Sequence, residues 1–494
     1  MANIVIFNDK SEDARAFRRT LGAYRVAQAL KDAGYTVQVI DWLSSWHKHT
    51  LLPILDLTIS KDTLWVGFSS TFMVSNRQQP TPRAQMYSQS PVDIDWLFDQ
   101  IKQRSNAKIV YGGAYAHLYD YDTCIDTYIT GYADVSVVAY TDDLRMGKPT
   151  PKKIDSLTYP EPSVNAISVD WTDPSFCLLP NEAVPIELAR GCIFKCKFCN
   201  YPLIGKRKGT YQRPVEQIHD QMLGVYKASG NTRFYFTDDT FNDDQTRLAE
   251  LHAMFKTLPF RPQFSCFLRL DLIERWPETA DLLLDMGLTG CFFGIETINH
   301  KSGLAIGKGL EPKRIKQELE RLRTLWGSRV LITLGLILGL PYDTESYFQE
   351  LEAWVSDPSC PADHFSINTL WIGPPAPEGA GQKDGFSEFN LNLDAYGYVR
   401  TEKGSNHGGW LLASQAIDSE LCERWRKRLY NLVRHRNKVS EFYVQDYQNL
   451  GIGLEQIQSQ TEQQIHAEYN MSDLLRMRQR EYQQRLASYL SHQL

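Results

Sequence analysis

The stretch that decides the fold is 187-ELARGCIFKCKFCNY-201, which places three cysteines close together. Cys192, Cys196 and Cys199 follow a short apolar run, Val184 to Leu188, that is typical of a buried strand. Thiols at these spacings can converge on one side of a loop. Structural zinc sites usually take four ligands, commonly as two pairs, and no second pair lies here. A 4Fe-4S cluster held by three thiolates keeps one iron open to a ligand from outside the protein.

The composition indicates a folded, water-soluble protein. Of the 494 residues 43% are apolar and 23% are charged, which excludes disordered, collagen-like and coiled-coil chains. The chain has 53 Lys and Arg residues and 59 Asp and Glu residues, which gives a net charge of -6. The electric field of the whole protein therefore does not attract polyanions. No signal-peptide pattern and no uninterrupted run of about eighteen apolar residues is seen. We therefore expect a cytoplasmic protein with no membrane span.

Strands and helices alternate in the first 150 residues. A helical pattern over Ala14 to Gly34 follows the first apolar run, and short apolar runs that end in small residues recur after it. This alternation predicts a doubly wound parallel sheet, in which ligands bind at the carboxyl ends of the strands. We expect residues 1–150 to form this domain, with strands at Asn3–Phe7, Val37–Ile40, Leu64–Ser69, Lys108–Tyr111 and Thr127–Thr130.

A second alternating region follows a predicted linker at residues 151–180, which contains many Pro, Ser, Asp and Thr residues. Six strand patterns separated by helical patterns predict an open, partial (β/α)6 barrel over residues 181–375. Residues 376–494 are expected to form a mainly helical substrate-side or accessory region. The six strands are predicted at Val184–Leu188, Arg233–Phe236, Gln263–Phe267, Cys291–Ile295, Val330–Leu338 and Phe365–Ile372.

The cysteine loop resembles that of the radical S-adenosylmethionine (SAM) superfamily. The family motif is CxxxCxφC, where φ is aromatic, and Phe198 occupies the aromatic position before Cys199. In the family the amino and carboxylate groups of SAM chelate the open iron of the 4Fe-4S cluster. The resemblance implies an enzyme that cleaves SAM reductively to a 5′-deoxyadenosyl radical, which abstracts hydrogen from a substrate. It also implies an electron donor such as flavodoxin or ferredoxin.

Further strand ends match the family in the same order along the chain. Asp238 and Asp239 resemble the element of the second barrel strand that meets the methionine amino group of SAM. Phe293-Gly294-Ile295-Glu296-Thr297 resembles the element whose carboxylate approaches the ribose hydroxyls. Arg269 either meets the methionine carboxylate of SAM or forms a structural bridge to one of these three acids. The GxIxG element that lies beside adenine is matched by Gly335, Ile337 and Gly339.

The N-terminal region resembles the cobalamin-binding domain of a large radical SAM subclass, over roughly residues 1–145. The cobalt-ligating DxHxxG motif of that domain is absent, because residues 8–11 read NDKS. Residues 131–134, GYAD, replace the acidic glycine run of the family. Two alternatives stay open: cobalamin held without a His ligand and used in methyl transfer, or a scaffold that has lost the cofactor. The residues that would contact cobalamin are Ser69, Ser70, Thr71, Gly112 and Gly113.

The C-terminal region carries candidate residues without a motif that identifies the substrate. His407 and Tyr396 are candidates for a catalytic acid or base, although each is also a common structural residue. The basic stretch from Arg424 to Lys438 is interpreted either as a solvated helix face or as a surface for an anionic substrate or RNA. The negative net charge favours the solvated face. Peptide, lipid, small metabolite and nucleoside substrates all stay open.

Two classes of function compete for this sequence. The first is a radical SAM enzyme, with methyl transfer if cobalamin is bound. The second is a non-catalytic iron-sulfur binding or regulatory protein built on the same fold. Because the elements that would hold SAM are present together with the cysteines, the sequence favours the enzyme.

Overall fold

The structure is a computed structural model, and it describes most but not all of the chain. Two of the residues predicted to contact cobalamin, Ser70 and Thr71, lie outside the described residues, and so does the candidate His407. The described residues are 2–9, 17–69, 92, 94–113, 124–160, 168–373, 375–376, 378–401 and 409–493.

The first sheet is parallel and has the strand order β2-β1-β3-β4-β5-β6. Its strands are β1 (Ile4–Phe7), β2 (Val37–Ile40), β3 (Trp65–Ser69), β4 (Lys108–Gly113), β5 (Thr127–Thr130) and β6 (Lys153–Asp155). In the part of this domain that the structure describes, four α-helices accompany them: α1 (Leu21–Asp32), α2 (Lys48–Thr58), α3 (Ile94–Arg104) and α4 (Ser136–Arg145).

Alternating side chains of β1 explain why helices cover both faces of this sheet. Ile4 and Ile6 share one hydrophobic core with α1 and α4, whereas Val5 and Phe7 share another with α2 and α3. Successive residues of a strand point to opposite faces, so both faces are buried. The predicted doubly wound parallel sheet is confirmed.

The segment predicted as a linker contributes to this first sheet. β6 pairs in parallel with β5, through Tyr128 to Lys153 and Thr130 to Asp155. The sequence conceals this strand because it is an edge strand of three residues, of which only Ile154 is buried. Residues 153–155 of the predicted linker are therefore part of the first sheet.

The second sheet is also parallel and runs in chain order from β7 to β12. Within the described residues, β7 and β12 each pair with one neighbour, so the sheet forms an open partial barrel, as predicted. The strands are β7 (Val184–Ile186), β8 (Arg233–Phe236), β9 (Gln263–Leu268), β10 (Leu288–Glu296), β11 (Leu331–Leu338) and β12 (His364–Thr369). The helices are α5 (Val215–Ser229), α6 (Gln245–Phe255), α7 (Leu270–Arg275), α8 (Thr279–Met286), α9 (His300–Ile306), α10 (Pro312–Trp326) and α11 (Glu345–Ser356).

The C-terminal region is mainly helical, as expected, and adds a small antiparallel sheet that the sequence did not suggest. The sheet consists of β13 (Tyr398–Arg400), β14 (Trp410–Leu412) and β15 (Ile417–Asp418). The helices are α12 (Glu388–Leu391), α13 (Ser419–Val433), α14 (Val444–Asn449), α15 (Leu454–Ser459), α16 (Glu462–Glu468) and α17 (Met471–Ser491). Among the helices that the structure describes, none is both long and apolar enough to cross a bilayer.

A polar segment around α14 closes the amino-terminal end of the barrel. The backbone N–H of Glu441 donates to Thr333 of β11, and the hydroxyl of Ser265 in β9 donates to Gln445. Asp446 accepts a hydrogen bond of 2.9 Å from the hydroxyl of Tyr235 in β8. Ligands are therefore expected at the opposite end, where the strands finish.

Candidate functional site

The cysteine loop follows β7 and is held by its own backbone. The N–H of Cys192 donates to the carbonyl of Leu203 over 3.0 Å, and the N–H of Cys199 donates to the carbonyl of Cys196 over 3.1 Å. Gly191 has a φ of +136°, and a Cβ on it would lie 3.1 Å from the Leu203 carbonyl oxygen. Because no larger residue fits there without strain, this glycine sets the direction in which the loop leaves the strand.

Each of the three sulfur atoms lies beside a polar partner. Sγ of Cys192 is 3.6 Å from the Thr240 hydroxyl, Nη1 of Arg269 is 3.6 Å from Sγ of Cys196, and the backbone N–H of Tyr201 donates to Sγ of Cys199 over 3.5 Å. A guanidinium group and an N–H group stabilise thiolates, so this donor set fits thiolates that bind iron.

No three His, Cys, Asp or Glu side chains of the described residues converge closely enough to hold a single metal ion. In a 4Fe-4S cluster each thiolate binds a different iron atom, so its ligands stand farther apart than those of a single ion. The lack of a single-ion site in the described residues therefore does not count against three thiolates that each bind a different iron atom.

The two acids after β8 have different surroundings. Asp238 is buried, and its carboxylate accepts the backbone N–H of Leu188 at the base of the cysteine loop over 3.2 Å. The side chain of Asp239 reaches solvent. Desolvation by the surrounding protein nevertheless raises the pKa of Asp239 to about 6, and a hydrogen bond with Tyr201 opposes this shift. Asp238 thus supports the loop, and Asp239 is the acid that a ligand can reach.

Arg269 lies against the cysteine loop, but its acidic partner differs from those expected. Its guanidinium group binds Asp271 at two points, with Nε to Oδ1 at 3.0 Å and Nη2 to Oδ2 at 2.7 Å. The expected structural bridge to Asp238, Asp239 or Glu296 is therefore wrong. The reason is local, since Arg269 directly precedes α7 and Asp271 lies in the first turn of that helix. The guanidinium carbon also lies 3.8 Å from the ring centre of Phe194.

Glu296 ends β10 in an unusual backbone conformation. Its φ is +64°, and the pairing of β10 with β11 shifts between Gly294 and Glu296. A non-glycine residue in this region is strained by about 1–3 kcal/mol, and such strain is concentrated at functional sites. Burial raises the pKa of the Glu296 carboxyl, and Lys308, whose Nζ lies 3.7 Å away, opposes that shift. Glu296 is thus a nearly buried acid with a cationic neighbour, Lys308.

Gly335 in β11 and Gly339 directly after it are each required by close packing. A Cβ on Gly335 would lie 2.4 Å from Cζ of Phe292, and one on Gly339 would lie 2.3 Å from the ring of Trp410. Asp343 accepts the N–H groups of Gly339 and Leu340, and burial raises its pKa to about 7. Ile337 is half-buried. Close packing therefore accounts for both glycines, and their contact with adenine stays a prediction.

The carboxyl edge of the first sheet carries the other predicted ligand residues. Ser69 pairs with Gly112, and Gly113, with a φ of +126°, pairs with Thr130. The three residues thus lie side by side at the ends of β3 and β4. Their contact with cobalamin stays a prediction.

The loop after β5 contacts the loop after β7, so the carboxyl edges of the two sheets meet. Asp134 lies 3.0 Å from Nη1 of Arg190 and 2.9 Å from Nη2 of Arg25. Arg190 also pairs with Glu187 at 2.8 Å, and the Tyr132 hydroxyl donates to the Tyr201 hydroxyl over 3.1 Å. No sequence pattern indicated these partners, and the one local sign was that Arg190 lies two positions before the first cysteine. They hold the cysteine loop against the N-terminal sheet.

The C-terminal candidates lie in different surroundings. The ring of Tyr396 packs edge-on against Phe389, with 4.7 Å between ring centres. A Cβ on Gly385 would lie 3.6 Å from the carbonyl of Asn200, so the C-terminal region reaches the cysteine loop. In the basic stretch, Arg426 pairs with Glu423 of its own helix, and Arg428 pairs with Glu352. These ion pairs favour the solvated helix face.

The chain is similar to known proteins over the region that contains this site. Residues 186–355 match the model of the radical SAM superfamily. The chain is 27% identical over 196 residues to the hopanoid C-2 methylase of Rhodopseudomonas palustris (strain TIE-1), which covers 39% of this chain and 36% of that protein. It is 29% identical over 134 residues to the bacteriochlorophyllide d C-8(2)-methyltransferase of Chlorobaculum tepidum, covering 26% of this chain and 29% of that protein. The matches thus span about a third of the length of these curated relatives.

A solved structure resembles the chain over nearly its whole length. It is the radical SAM methyltransferase TsrM from Kitasatospora setae with cobalamin and a [4Fe-4S] cluster bound, at a TM-score of 0.61 and 15% identity. The likeness covers 97% of this chain and 100% of that one. At this identity the likeness establishes the fold, with both sheets and the C-terminal region included. The matched residues 186–355 contain the cysteine loop and strands β8 to β11 of the open barrel, so this part of the chain is similar to the radical SAM superfamily.

Proposed function

We propose that this protein is a cobalamin-dependent radical SAM methyltransferase that acts on a carbon atom of a small-molecule substrate. The observation that carries the proposal is the meeting of the two carboxyl edges at the cysteine loop. Two cofactors that act on one substrate must face each other, and α/β sheets and β/α barrels both bind ligands at these edges. The contact of Asp134 with Arg190 supports this arrangement. The methylase relatives and the TsrM fold support the same class of reaction.

Cys192, Cys196 and Cys199 are the residues that would hold the cluster. When bound, the cluster supplies one electron, taken from a donor such as flavodoxin or ferredoxin, for the reductive cleavage of SAM to methionine and a 5′-deoxyadenosyl radical. The protein contributes binding and orientation. Asp239 offers a reachable carboxylate to the SAM ammonium group. Glu296 would accept hydrogen bonds from the ribose hydroxyls, and Arg269 would approach the methionine carboxylate.

Cobalamin is assigned to the carboxyl edge of the first sheet. Ser69 offers a hydroxyl there, and Gly112 and Gly113 let a flat ligand approach the backbone. Asn8 follows β1 at the same edge and donates to Asp41 over 2.6 Å, so this edge has polar groups but no His in the described part of the loop. Cobalamin would then bind without a His ligand. When bound, it carries the methyl group.

We also propose a cellular location, an electron donor and a substrate class for this enzyme. A cytoplasmic location and a reduced flavodoxin or ferredoxin partner suit a protein whose cysteines stay reduced. The paired arginines of α13 favour a substrate other than nucleic acid. The non-catalytic alternative would need no SAM site, and the strained, nearly buried Glu296 at the barrel mouth argues against it.

The direct test uses protein reconstituted with iron and sulfide under anaerobic conditions and expressed with cobalamin. We expect stoichiometric corrin absorbance and, after reduction, formation of 5′-deoxyadenosine and methionine from SAM. With SAM labelled in the methyl group, labelled carbon should pass to a compound in a pool of candidate substrates. Absence of corrin, even after refolding with excess cobalamin, would show that the N-terminal domain is a scaffold that does not bind the cofactor. Absence of SAM cleavage would reject the enzyme.

Exchanging Glu296 for Gln tests the assigned ribose contact. Glu296→Gln keeps the size of the side chain and its backbone conformation but removes the charge. Hydrogen bonds to charged groups contribute about 1.5–3 kcal/mol, so SAM affinity should fall roughly 10- to 100-fold while bound iron stays constant. Equilibrium binding of SAM to the reconstituted protein measures this. Glu318→Gln, at a mostly buried acid of α10 that pairs with Arg321, is the matched control. Full affinity in Glu296→Gln would refute the ribose role.

A further inference from the structure

A basic surface lies on the cysteine loop. Residues 195–208 carry five positive charges and no Asp or Glu, although the whole chain has a net charge of -6. Two of the five, Lys195 and Lys197, stand directly before and after Cys196 in the chain. The basic surface consists of Lys195, Lys197, Lys206, Arg207 and Lys208.

Contacts within the loop bring the two ends of this stretch together. The N–H of Gly205 donates to the carbonyl of Phe194 over 3.0 Å, and the N–H of Lys206 donates to the carbonyl of Cys192 over 3.0 Å. A Cβ on Gly205 would lie 3.1 Å from Cγ of Lys195, so the stem of that lysine passes over the glycine that precedes Lys206. The charges at both ends of the stretch therefore form one surface beside the cluster ligands.

Acids of the chain neutralise only part of this surface. Lys195, Arg207 and Lys208 are exposed. Lys208 pairs with Asp244, directly before α6, at 2.9 Å. In the described part of the chain, no carboxylate forms an ion pair with Lys195 or Arg207. Two exposed cations beside the cysteine loop can therefore meet an anionic partner from solution.

Other sides of the cysteine loop are covered by the protein itself. The Tyr132 hydroxyl of the N-terminal domain donates to the Tyr201 hydroxyl over 3.1 Å. A Cβ on Gly385, in the C-terminal region, would lie 3.6 Å from the carbonyl of Asn200. A protein that must come close to the cysteines therefore finds the loop accessible at the basic surface.

We propose that the basic surface is the docking site of an acidic electron-transfer protein that reduces the cluster. This inference rests on the proposed function, which uses one electron for each SAM molecule that is cleaved. The donor, of the flavodoxin or ferredoxin class, gives up one electron and is oxidised, and the cluster takes up that electron and is reduced. No atom is transferred in this step.

Electrostatic complementarity suits an encounter of this kind. Electron-transfer complexes bury little surface, so long-range attraction contributes much to their formation. A net negative chain with one basic surface repels an acidic donor over most of its area and attracts it at the cysteine loop. The charge pattern thus selects both the partner and its orientation.

The test compares reduction by a protein donor with reduction by a chemical reductant. In the full, cluster-loaded chain, Lys195→Glu with Arg207→Glu reverses two exposed charges. The second-order rate of cluster reduction by a reduced flavodoxin, and in parallel by a reduced ferredoxin, should fall about 10- to 100-fold. Bound iron and SAM cleavage with excess dithionite should not change. The neutral pair, Lys195→Gln with Arg207→Gln, should give a smaller loss, and it replaces the reversed pair if that pair binds less iron.

Arg424→Glu with Lys427→Glu provides the matched control. Both residues are exposed on α13, and their reversal changes the net charge by the same amount at the other basic stretch of the chain. The rate of reduction by either protein donor should stay within about twofold of the rate in the unsubstituted protein, because the effect of a charge falls off over a screening length of about 10 Å at 0.1 M salt.

Salt provides a second measurement that needs no substitution. The screening length falls from about 30 Å at 0.01 M salt to about 10 Å at 0.1 M. The rate of reduction of the unsubstituted protein by flavodoxin should therefore decrease over this range. In Lys195→Glu with Arg207→Glu, this decrease should vanish or become an increase.

Three results would overturn the docking site. The first is an unchanged donor-dependent rate in the charge-reversed pair, and the second is an equal loss in the α13 control. The third is that neither protein donor reduces the unsubstituted protein although dithionite supports SAM cleavage. Binding of RNA that the charge-reversed pair loses, together with an unchanged donor-dependent rate, would assign the surface to nucleic acid. If dithionite supports no SAM cleavage in the unsubstituted, cluster-loaded protein, the proposed function itself fails.

Discussion

Cys196→Ala is expected to remove the iron-sulfur cluster and, with it, all reductive cleavage of SAM. A 4Fe-4S cluster binds about four iron atoms per chain, and loss of one of three thiolates leaves a second iron without a protein ligand. Bound iron should therefore fall from about four atoms per chain to fewer than one. Iron and sulfide analysis, together with paramagnetic resonance of the reduced protein, measures the change. The triple variant of Cys192, Cys196 and Cys199 should give the same result.

Cys360→Ala is the control for this experiment. Cys360 is a buried cysteine outside the loop, so its replacement should leave the iron content unchanged. An undiminished cluster signal in the triple variant would show that other residues bind the iron. Loss of the signal in Cys360→Ala as well would indicate a general defect in folding.

Asp446→Ala should cause the largest loss of stability among single substitutions of buried charges. Asp446 is fully buried and accepts hydrogen bonds from Nε of Arg18 at 2.9 Å and from the Tyr235 hydroxyl at 2.9 Å. Removing one partner of a buried ion pair leaves the other charge uncompensated, which costs about 3–5 kcal/mol. Because Arg18 precedes α1 and Tyr235 lies in β8, the loss should affect both sheets. Denaturant unfolding followed by tryptophan fluorescence measures it.

A paired replacement distinguishes uncompensated charge from loss of packing. In Arg18→Met with Asp446→Leu, neither charge of the pair is left buried, so we expect more than half of the lost stability to return. Asp143→Ala removes an exposed partner of Lys148 and should change stability by no more than about 1 kcal/mol. If the double variant is as unstable as Asp446→Ala, the pair matters through its shape and not through its charge.

The strand pattern of both sheets could be predicted because buried parallel strands leave apolar runs in the sequence. β8 was placed with the bounds that the structure gives it, and β11 differs by one residue at its start. The segment that closes the barrel could not be found in this way. Gln445, Asp446 and Asn449 are polar residues typical of a surface, yet all three are buried. They are buried because each has hydrogen-bond partners on other elements, which no local pattern encodes.

Some residues of the candidate site could be predicted from the sequence, and others could not. The cysteines, Asp239 and Glu296 follow strand ends in the motif positions of a known family, so the sequence was enough to single them out. The partners that hold the loop lie far away along the chain, as Tyr132 and Tyr201 are separated by 69 residues. Arg269 pairs instead with Asp271, which is nearer along the chain. A guanidinium group can bind both oxygens of a carboxylate, and Asp271 lies within its reach in the first turn of the next helix. Such side-chain pairs depend on which residues are close in the folded structure, and the hydrophobic periodicity of the sequence does not contain that information.

Helix α17 packs against the first sheet, and this contact affects how the protein folds during its synthesis. The Tyr482 hydroxyl accepts the backbone N–H of Asp41 over 3.0 Å, and the two residues are 441 positions apart. The ring of Tyr482 also packs edge-on against Trp42. At about 5–20 residues per second, the ribosome needs roughly 20–90 seconds to make the intervening chain. Until Tyr482 has been made, the part of Trp42 that it covers stays exposed, so in that interval the N-terminal sheet presents apolar surface of the kind that chaperones bind.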